Sequence, residues 1–254
     1  MIYAYDGTWG GMMTLVYRTA QDGAFPDDIV RFSSTETAGL LLESAVVRSE
    51  PPVAEAVAAV LDRRVGGRWL SDACLALMAE EEGIDLAVWR YLFRLWREGR
   101  RAAMDLAAPC VGAVLHAARR SSRELHRWMG LVRFRDVGGG YYAAFAPDCD
   151  VLPLLADHFC GRLPDRWVLH DVRRGRAVLH EQGRWLMTDA ALPAESLRVT
   201  REEAVCQRLW QEFFRSAAVK ERRSAKRQMR FLPKRTWAYL IEKPGETAHD
   251  SLGD

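Results

Sequence analysis

At Gly130 the spacing of apolar residues changes. From Pro51 to Met129 they recur every three or four positions, in PPVAEAVAAVLDRRV, RWLSDACLALMAEEEG, DLAVWRYLFRLWREGRR and a further stretch opened by Pro109. Beyond Gly130 they fall in short alternating runs: LVRFRDV, YYAAFA, RWVLHDV, RAVLHEQ and RWLMTD. The first spacing is that of amphipathic helices and the second that of half-buried strands. A chain that switches period once belongs to the α+β class. Its N-terminal half is expected to be helical, and its C-terminal half to hold an antiparallel sheet of about five strands flanked by helices. The five are Leu131–Val137, Tyr141–Ala146, Trp167–Asp171, Ala177–Glu181 and Arg184–Met187. Tight links, among them the Gly138-Gly139-Gly140 loop, argue for antiparallel neighbours.

The remaining segments complete this outline. IYAYD reads as a strand and GGMMTLVYRTA as a helix whose start is weakened by Gly10 and Gly11. DIVRFSS and LESAVVRSE each hold a short strand. DVLPLLADHFCGRL reads as a helix with Pro153 in its first turn. Thr200 and Glu203 are spaced as a capping box for TREEAVCQRLWQEFFRSAAV. The basic KERRSAKRQMR also reads as helix, and Pro233 opens a last short one. The division is a mainly helical region over 1–108, an α+β region over 109–244 and a disordered tail over 245–254, with one continuous domain as the alternative. At 254 residues the chain is long enough for a substantial core.

Bulk charge selects no partner, because 36 Lys and Arg face 34 Asp and Glu. The five cysteines, Cys74, Cys110, Cys149, Cys160 and Cys206, are scattered without a C-x-x-C pair. They read as reduced thiols of a cytoplasmic protein, not as a zinc or iron–sulfur site. No apolar run approaches the ~20 residues of a membrane span, and no signal peptide or membrane contact is expected. P-loop, G-x-S-x-G and H-E-x-x-H motifs are absent, and no metal or cofactor is expected. His126, His158 and Asp171 are the candidate acid–base residues. Two of them have a structural alternative: a half-buried histidine for His126, and a strand-end turn for Asp171 beside His170.

Local charge is more informative. On the helix opened by Pro109, Val111, Leu115, Ala118, Leu125 and Met129 form an apolar side, and His116, Arg119, Arg120, Arg123, His126 and Arg127 a basic one. Arg119–Arg123 and Arg123–Arg127 are like-charged pairs one turn apart, each costing a few tenths of a kcal/mol. Either acids elsewhere in the fold meet these arginines, such as Glu80–Glu82, or an anionic partner does. The C-terminal stretch is denser. From Arg215 to Lys243 ten cations face two acids, Glu221 and Glu242. Lys234 and Arg235 stand in a first helical turn, where the helix dipole disfavours cations. The candidate nucleic-acid contacts are therefore Arg119, Arg123, His126, Arg127, Arg133, Lys226, Arg227, Arg230, Lys234 and Arg235. Trp237, Leu240 and Ile241 are spaced as a core-facing stripe.

Several motifs occur in one order: YDGTWGG, RELHRWMGLVRF, YYAAFAPDCDVLPLLADHF, RWVLHDVRR and LWQEFF followed by KERRSAKRQMRFLPKRTWAYLIE. Together they resemble a bacterial family of unknown biochemical function whose members are described as DNA metabolism or DNA repair proteins. The matching positions are Tyr5, Asp6 and Gly7; Arg123, Glu124, His126, Arg127, Gly130, Arg133 and Phe134; Pro147, Leu152, Pro153, His158 and Phe159; and Trp210, Phe213, Glu221, Arg222, Pro233, Arg235 and Trp237. Ser224 departs from the family's expected Asn. The resemblance implies DNA as a partner and a radical-SAM protein encoded nearby. Some members are fused to a uracil-DNA-glycosylase-like domain, which is not expected in this sequence. The expected function is a DNA-binding accessory factor. The alternatives are an enzyme acting on a DNA base and a protein-interaction adaptor.

Overall fold

A computed structural model describes residues 1–32, 44–189, 197–218, 224, 228–230 and 232–243. The chain divides into two compact units, Met1–Arg123 and Glu124–Asp254. The tail over 245–254, most of KERRSAKRQMR and the ends of DIVRFSS and LESAVVRSE lie outside the described residues.

The N-terminal unit is built on a parallel three-stranded sheet of β1 (Ile2–Tyr5), β2 (Asp28–Arg31) and β3 (Ser44–Val47), with β1 in the centre. Tyr3, Ala4 and Tyr5 are all buried, as expected of a central parallel strand covered on both faces. Helix α1 (Trp9–Asp22) follows β1 directly. Gly10 and Gly11, weak points by helix propensity, serve close packing here. A Cβ on Gly11 would lie 2.1 Å from Asp6 Oδ1, and one on Gly10 would lie 2.3 Å from Ser49 Oγ. Asp6 Oδ1 accepts from the Thr8 amide, and Thr8 Oγ1 accepts from the Gly11 amide to cap α1. Helices α2 (Pro51–Val65), α3 (Gly67–Leu77), α4 (Ile84–Glu98) and α5 (Arg100–Met104) complete this unit with the first part of α6 (Pro109–Leu131).

The C-terminal unit holds one five-stranded sheet in the order of the chain: β4 (Arg135–Asp136), β5 (Tyr141–Phe145), β6 (Trp167–Asp171), β7 (Arg176–Glu181) and β8 (Arg184–Thr188). The expected α+β class and the five strands are found, but the sheet is mixed. β5 and β6 pair in parallel; the other three pairings are antiparallel. The reason lies in the connection. α7 (Leu152–Cys160) crosses over between β5 and β6, and a helical crossover returns the chain in the same direction, whereas the short links elsewhere reverse it. On one face Ala143, Phe145, Trp167, Leu169 and Val178 pack with Leu152, Leu155, Ala156 and Phe159 of α7 and with Trp128. The first strand is much shorter than expected, because Leu131 still belongs to α6.

Two further elements border the sheet. α8 (Arg201–Ser216) is capped by Thr200, whose Oγ1 accepts from the Glu203 amide at 3.2 Å. The reciprocal half of the capping box is replaced: the Thr200 amide donates to Asp136 O at 3.0 Å, which ties the helix start to β4. The segment opened by Pro233 is a 3-10 helix, Lys234–Tyr239, and Tyr239 meets Trp128 edge to face.

Candidate anion-binding site

Helix α6 places its side chains one position away from the stripe expected from the sequence. Val111, Val114, Ala117, Ala118, Ser121, Glu124 and Trp128 are the buried residues, and Leu125 and Met129 are only partly covered. Glu124, an edge residue by that pattern, is therefore buried. The signal for it in the sequence is a lone acid in the 3–4 spacing of Val114, Ala117, Ser121 and Trp128. Its carboxylate accepts from Arg127 Nη1 at 2.9 Å, Trp128 Nε1 at 3.0 Å and the Asp148 amide at 3.1 Å. Arg235 Nη2 also reaches both oxygens, at 3.2 and 3.1 Å.

The network extends past the carboxyl ends of β5 and β6. Arg235 Nη1 pairs with Asp148 Oδ2 at 2.6 Å, and Arg173 with Asp148 Oδ1 at 2.8 Å. Asp171 is fully buried and accepts from the amides of Arg173 and Arg174 and from Arg174 Nη1. Burial pushes its carboxyl above the ordinary value, against the pull of Arg174. This is the strand-end turn that stood as the structural alternative for Asp171. Arg174 also donates to the carbonyls of Pro147 and Asp148. Every charge here has opposite-charge or backbone partners, so the cluster fixes the loops after β5 and β6.

Beside this network lies a cleft of about 180 Å³ lined by Arg133, Arg135, Gln207, Gln211 and Tyr239 with Ala144, Ala238, Leu240 and Ile241. Two arginines meet it in different states. Arg133 pairs with Glu242 at 2.9 Å and donates to Gly130 O at 2.8 Å. Burial pushes the Glu242 carboxyl up, yet a backbone N–H, Arg133 and Trp210 hold it below its ordinary value. Arg135 sits over the ring of Tyr142, 5.8 Å from its centre, and makes no hydrogen bond or ion pair with another described residue. Below it the Tyr142 hydroxyl lies 2.7 Å from His170 Nδ1. Burial pushes the Tyr142 phenol up to about 12 and His170 below its ordinary 6.5, so a phenol donating to a neutral imidazole fits both shifts.

The other candidates from the sequence are scattered. Arg119, Arg123 and His126 are exposed on α6, while Arg120, one position away, pairs with Glu81 at 2.8 Å. Arg127, Arg133 and Arg235 hold internal carboxylates. Arg230 and Lys234 are exposed, and Lys226 and Arg227 lie outside the described residues. His126, His158 and Asp171 line neither this cleft, nor the apolar one around Phe25, Trp89 and Phe93, nor the one beside Gly138–Gly140 and Leu197. Among the described residues no three His, Cys, Asp or Glu side chains are grouped to hold a metal, and no helix is long and apolar enough to cross a membrane. The internal roles of Glu124, Asp148, Arg174 and Glu242 are not apparent in the sequence, because each also has partners far along the chain: Arg235 for Glu124 and Asp148, the Pro147 and Asp148 carbonyls for Arg174, and Arg133 for Glu242.

Fold and site together define an α+β chain of two compact units, the second carrying an arginine-lined cleft braced by buried ion pairs. A family model described as a domain of unknown function, DUF4130, matches residues 82–242, more than half of the chain, and the chain belongs to that family. No curated protein and no solved structure matches it.

Proposed function

We propose that this chain is a DNA-binding accessory protein of bacterial DNA repair or DNA metabolism, acting with a radical-SAM partner in the cytoplasm. The observation that supports DNA contact is the state of Arg119 and Arg123. Both are exposed one turn apart on α6, and neither forms an ion pair with a described residue, although Arg120 and Arg127 beside them do. His116 and His126 extend the same exposed line. Arg123 donates to the Arg119 carbonyl at 3.1 Å, and Arg119 acts on Asp72 through space. Exposed guanidinium groups at this spacing, without an ion pair among the described residues, suit successive phosphates, whose contact offsets the i,i+4 repulsion. The resemblance carried by the sequence motifs supplies the pathway and the radical-SAM partner.

Fluorescence anisotropy with labelled single- and double-stranded oligonucleotides over a salt series tests this reading. Affinity should fall steeply with salt and depend little on sequence. The Arg119→Gln/Arg123→Gln variant should bind more weakly. Its slope of log K against log salt should be shallower by about 0.9 for each duplex phosphate it no longer neutralises. Unchanged affinity and slope in that variant would reject the reading.

One observation favours the adaptor as a second reading. Leu209, Phe213, Phe214 and Trp210 are exposed on α8, which buries no residue at all. An apolar contact there would hold or strengthen as salt rises, opposite to phosphate contact.

A further inference from the structure

The cleft at Arg135 is a second and separate feature, about 180 Å³ in volume. That is smaller than the roughly 300 Å³ at which pockets begin to enclose a drug-sized ligand, so it suits a chemical group, not a whole nucleoside. Three elements line it with polar residues: β4 with Arg135, α8 with Gln207 and Gln211, and the 3-10 helix with Tyr239. Glu242 already meets Arg133, so the Arg135 guanidinium is the uncompensated charge among the described lining residues. A half-buried cation without an acid is costly unless something anionic meets it. The nearest acid in sequence, Asp136, is turned away, accepting from the Gly138 amide and from Thr200 Oγ1. The Tyr239 hydroxyl makes no hydrogen bond to a described residue, and burial, with the Asp171 charge, raises its pKa and keeps it in the protonated, donating form. Each glutamine amide uses one N–H internally, Gln207 on Glu203 and Gln211 on Ile241 O, and its NH₂ group has a second.

We infer that this cleft binds a phosphate group, with Arg135 as the main contact and Tyr239 and the two glutamines as further donors. Donors converging from three elements suit a tetrahedral group with several acceptor oxygens. A carboxylate presents two oxygens in one plane and is met by a single guanidinium fork. The ring of Tyr142 fixes the guanidinium plane, and Tyr142 is itself held by His170. The inference rests on the cleft alone and does not require the duplex contact proposed for α6.

Isothermal titration of the whole chain in chloride buffer tests it, with inorganic phosphate, a 5′-deoxynucleoside monophosphate and acetate as titrants. Phosphate and the monophosphate should bind, and acetate at least tenfold more weakly. Arg135→Gln should weaken phosphate binding on the order of tenfold or more, as expected for one charge-assisted hydrogen bond and its charge. Tyr239→Phe keeps the ring against Trp128, so it reads the hydroxyl alone should Arg135→Gln disturb the fold; a decrease of about threefold is expected. Arg119→Gln/Arg123→Gln should leave phosphate binding unchanged, which separates this site from the duplex reading. An oligonucleotide with a 5′-phosphate compared with its dephosphorylated twin distinguishes a strand end from a free phosphate as the source. No binding of either phosphate titrant at millimolar concentration, equal binding of acetate, or parental phosphate affinity in both the Arg135→Gln and Tyr239→Phe variants would overturn the assignment.

Discussion

Arg235 grips both carboxylate oxygens of Glu124 through one nitrogen, at 3.2 and 3.1 Å, across 111 positions of the chain. The contact pins the 3-10 helix to α6 within the C-terminal unit. Glu124 is 6% exposed at its side chain and Arg235 40%, so the two ends of the pair sit in different environments. The acid is the dependent partner, because burial leaves it no water to fall back on.

Glu124→Gln should therefore lower stability by about 3 kcal/mol, the usual cost of breaking a buried pair from one side. Arg235→Gln should cost less, about 1 kcal/mol, since Arg127, Trp128 and the Asp148 amide still donate to Glu124. Urea unfolding midpoints of the two variants and their double mutant measure both values and the coupling. Equal costs, or additivity of the two, would show that the pair does not carry the contact.

The same residues show what is legible in the sequence. The α+β class, the five strands of the second sheet and the cap at Thr200 follow from periodicity and local chemistry, and they are readable because those signals are local. The parallel pairing of β5 with β6 is hidden when short links across the whole half are taken together; only the helix between those two strands carries it. Arg133 and Arg235 look like free cations in the sequence because Glu242 and Glu124 approach them only in the fold, whereas the Glu124–Arg127 pair is a local i,i+3 contact. Arg235 in particular stands in a first helical turn for the sake of Glu124 and Asp148, a tertiary reason that overrides the helix dipole. Arg135 carries no mark beyond its charge; its stacking on Tyr142 arises from the β4–β5 register, in which the two are direct partners.

Stability should depend on pH through His170. Burial depresses its pKa in the folded state below the ordinary 6.5. The unfolded chain then binds the proton more readily, so the contribution is fully present above about pH 6.5 and is lost as pH falls through the folded value. Thermal unfolding midpoints should decline between neutral and mildly acidic pH. His170→Gln should flatten that part of the curve, and Tyr142→Phe should alter it by removing the hydroxyl that faces Nδ1. An unchanged slope in His170→Gln would assign the dependence to other groups.

The start of α8 offers a local test. Thr200→Ala removes the oxygen that accepts from the Glu203 amide and the hydroxyl that reaches Asp136, and should cost about 1 kcal/mol. Thr200→Ser keeps both groups and should stay close to the parent. Because Gln207 and Gln211 of this helix line the cleft, the alanine variant should also show faster amide exchange there. Equal stability of the two variants would mean that the cap is dispensable.

The arginines of α6 should separate into two classes. Arg119 and Arg123 are exposed and without an ion pair among the described residues, so replacing both with Gln should leave stability unchanged or raise it by a few tenths of a kcal/mol, as repulsion between them is relieved. Arg127 belongs to the Glu124 network, and Arg127→Gln should cost about 1 kcal/mol. DNA affinity should show the reverse order, falling more in the Arg119→Gln/Arg123→Gln variant than in Arg127→Gln. Denaturation and anisotropy on the same preparations measure both. An Arg119→Gln/Arg123→Gln protein that unfolds more easily, yet binds DNA like the parent, would place these charges in service of the fold and leave the phosphate reading of α6 without support.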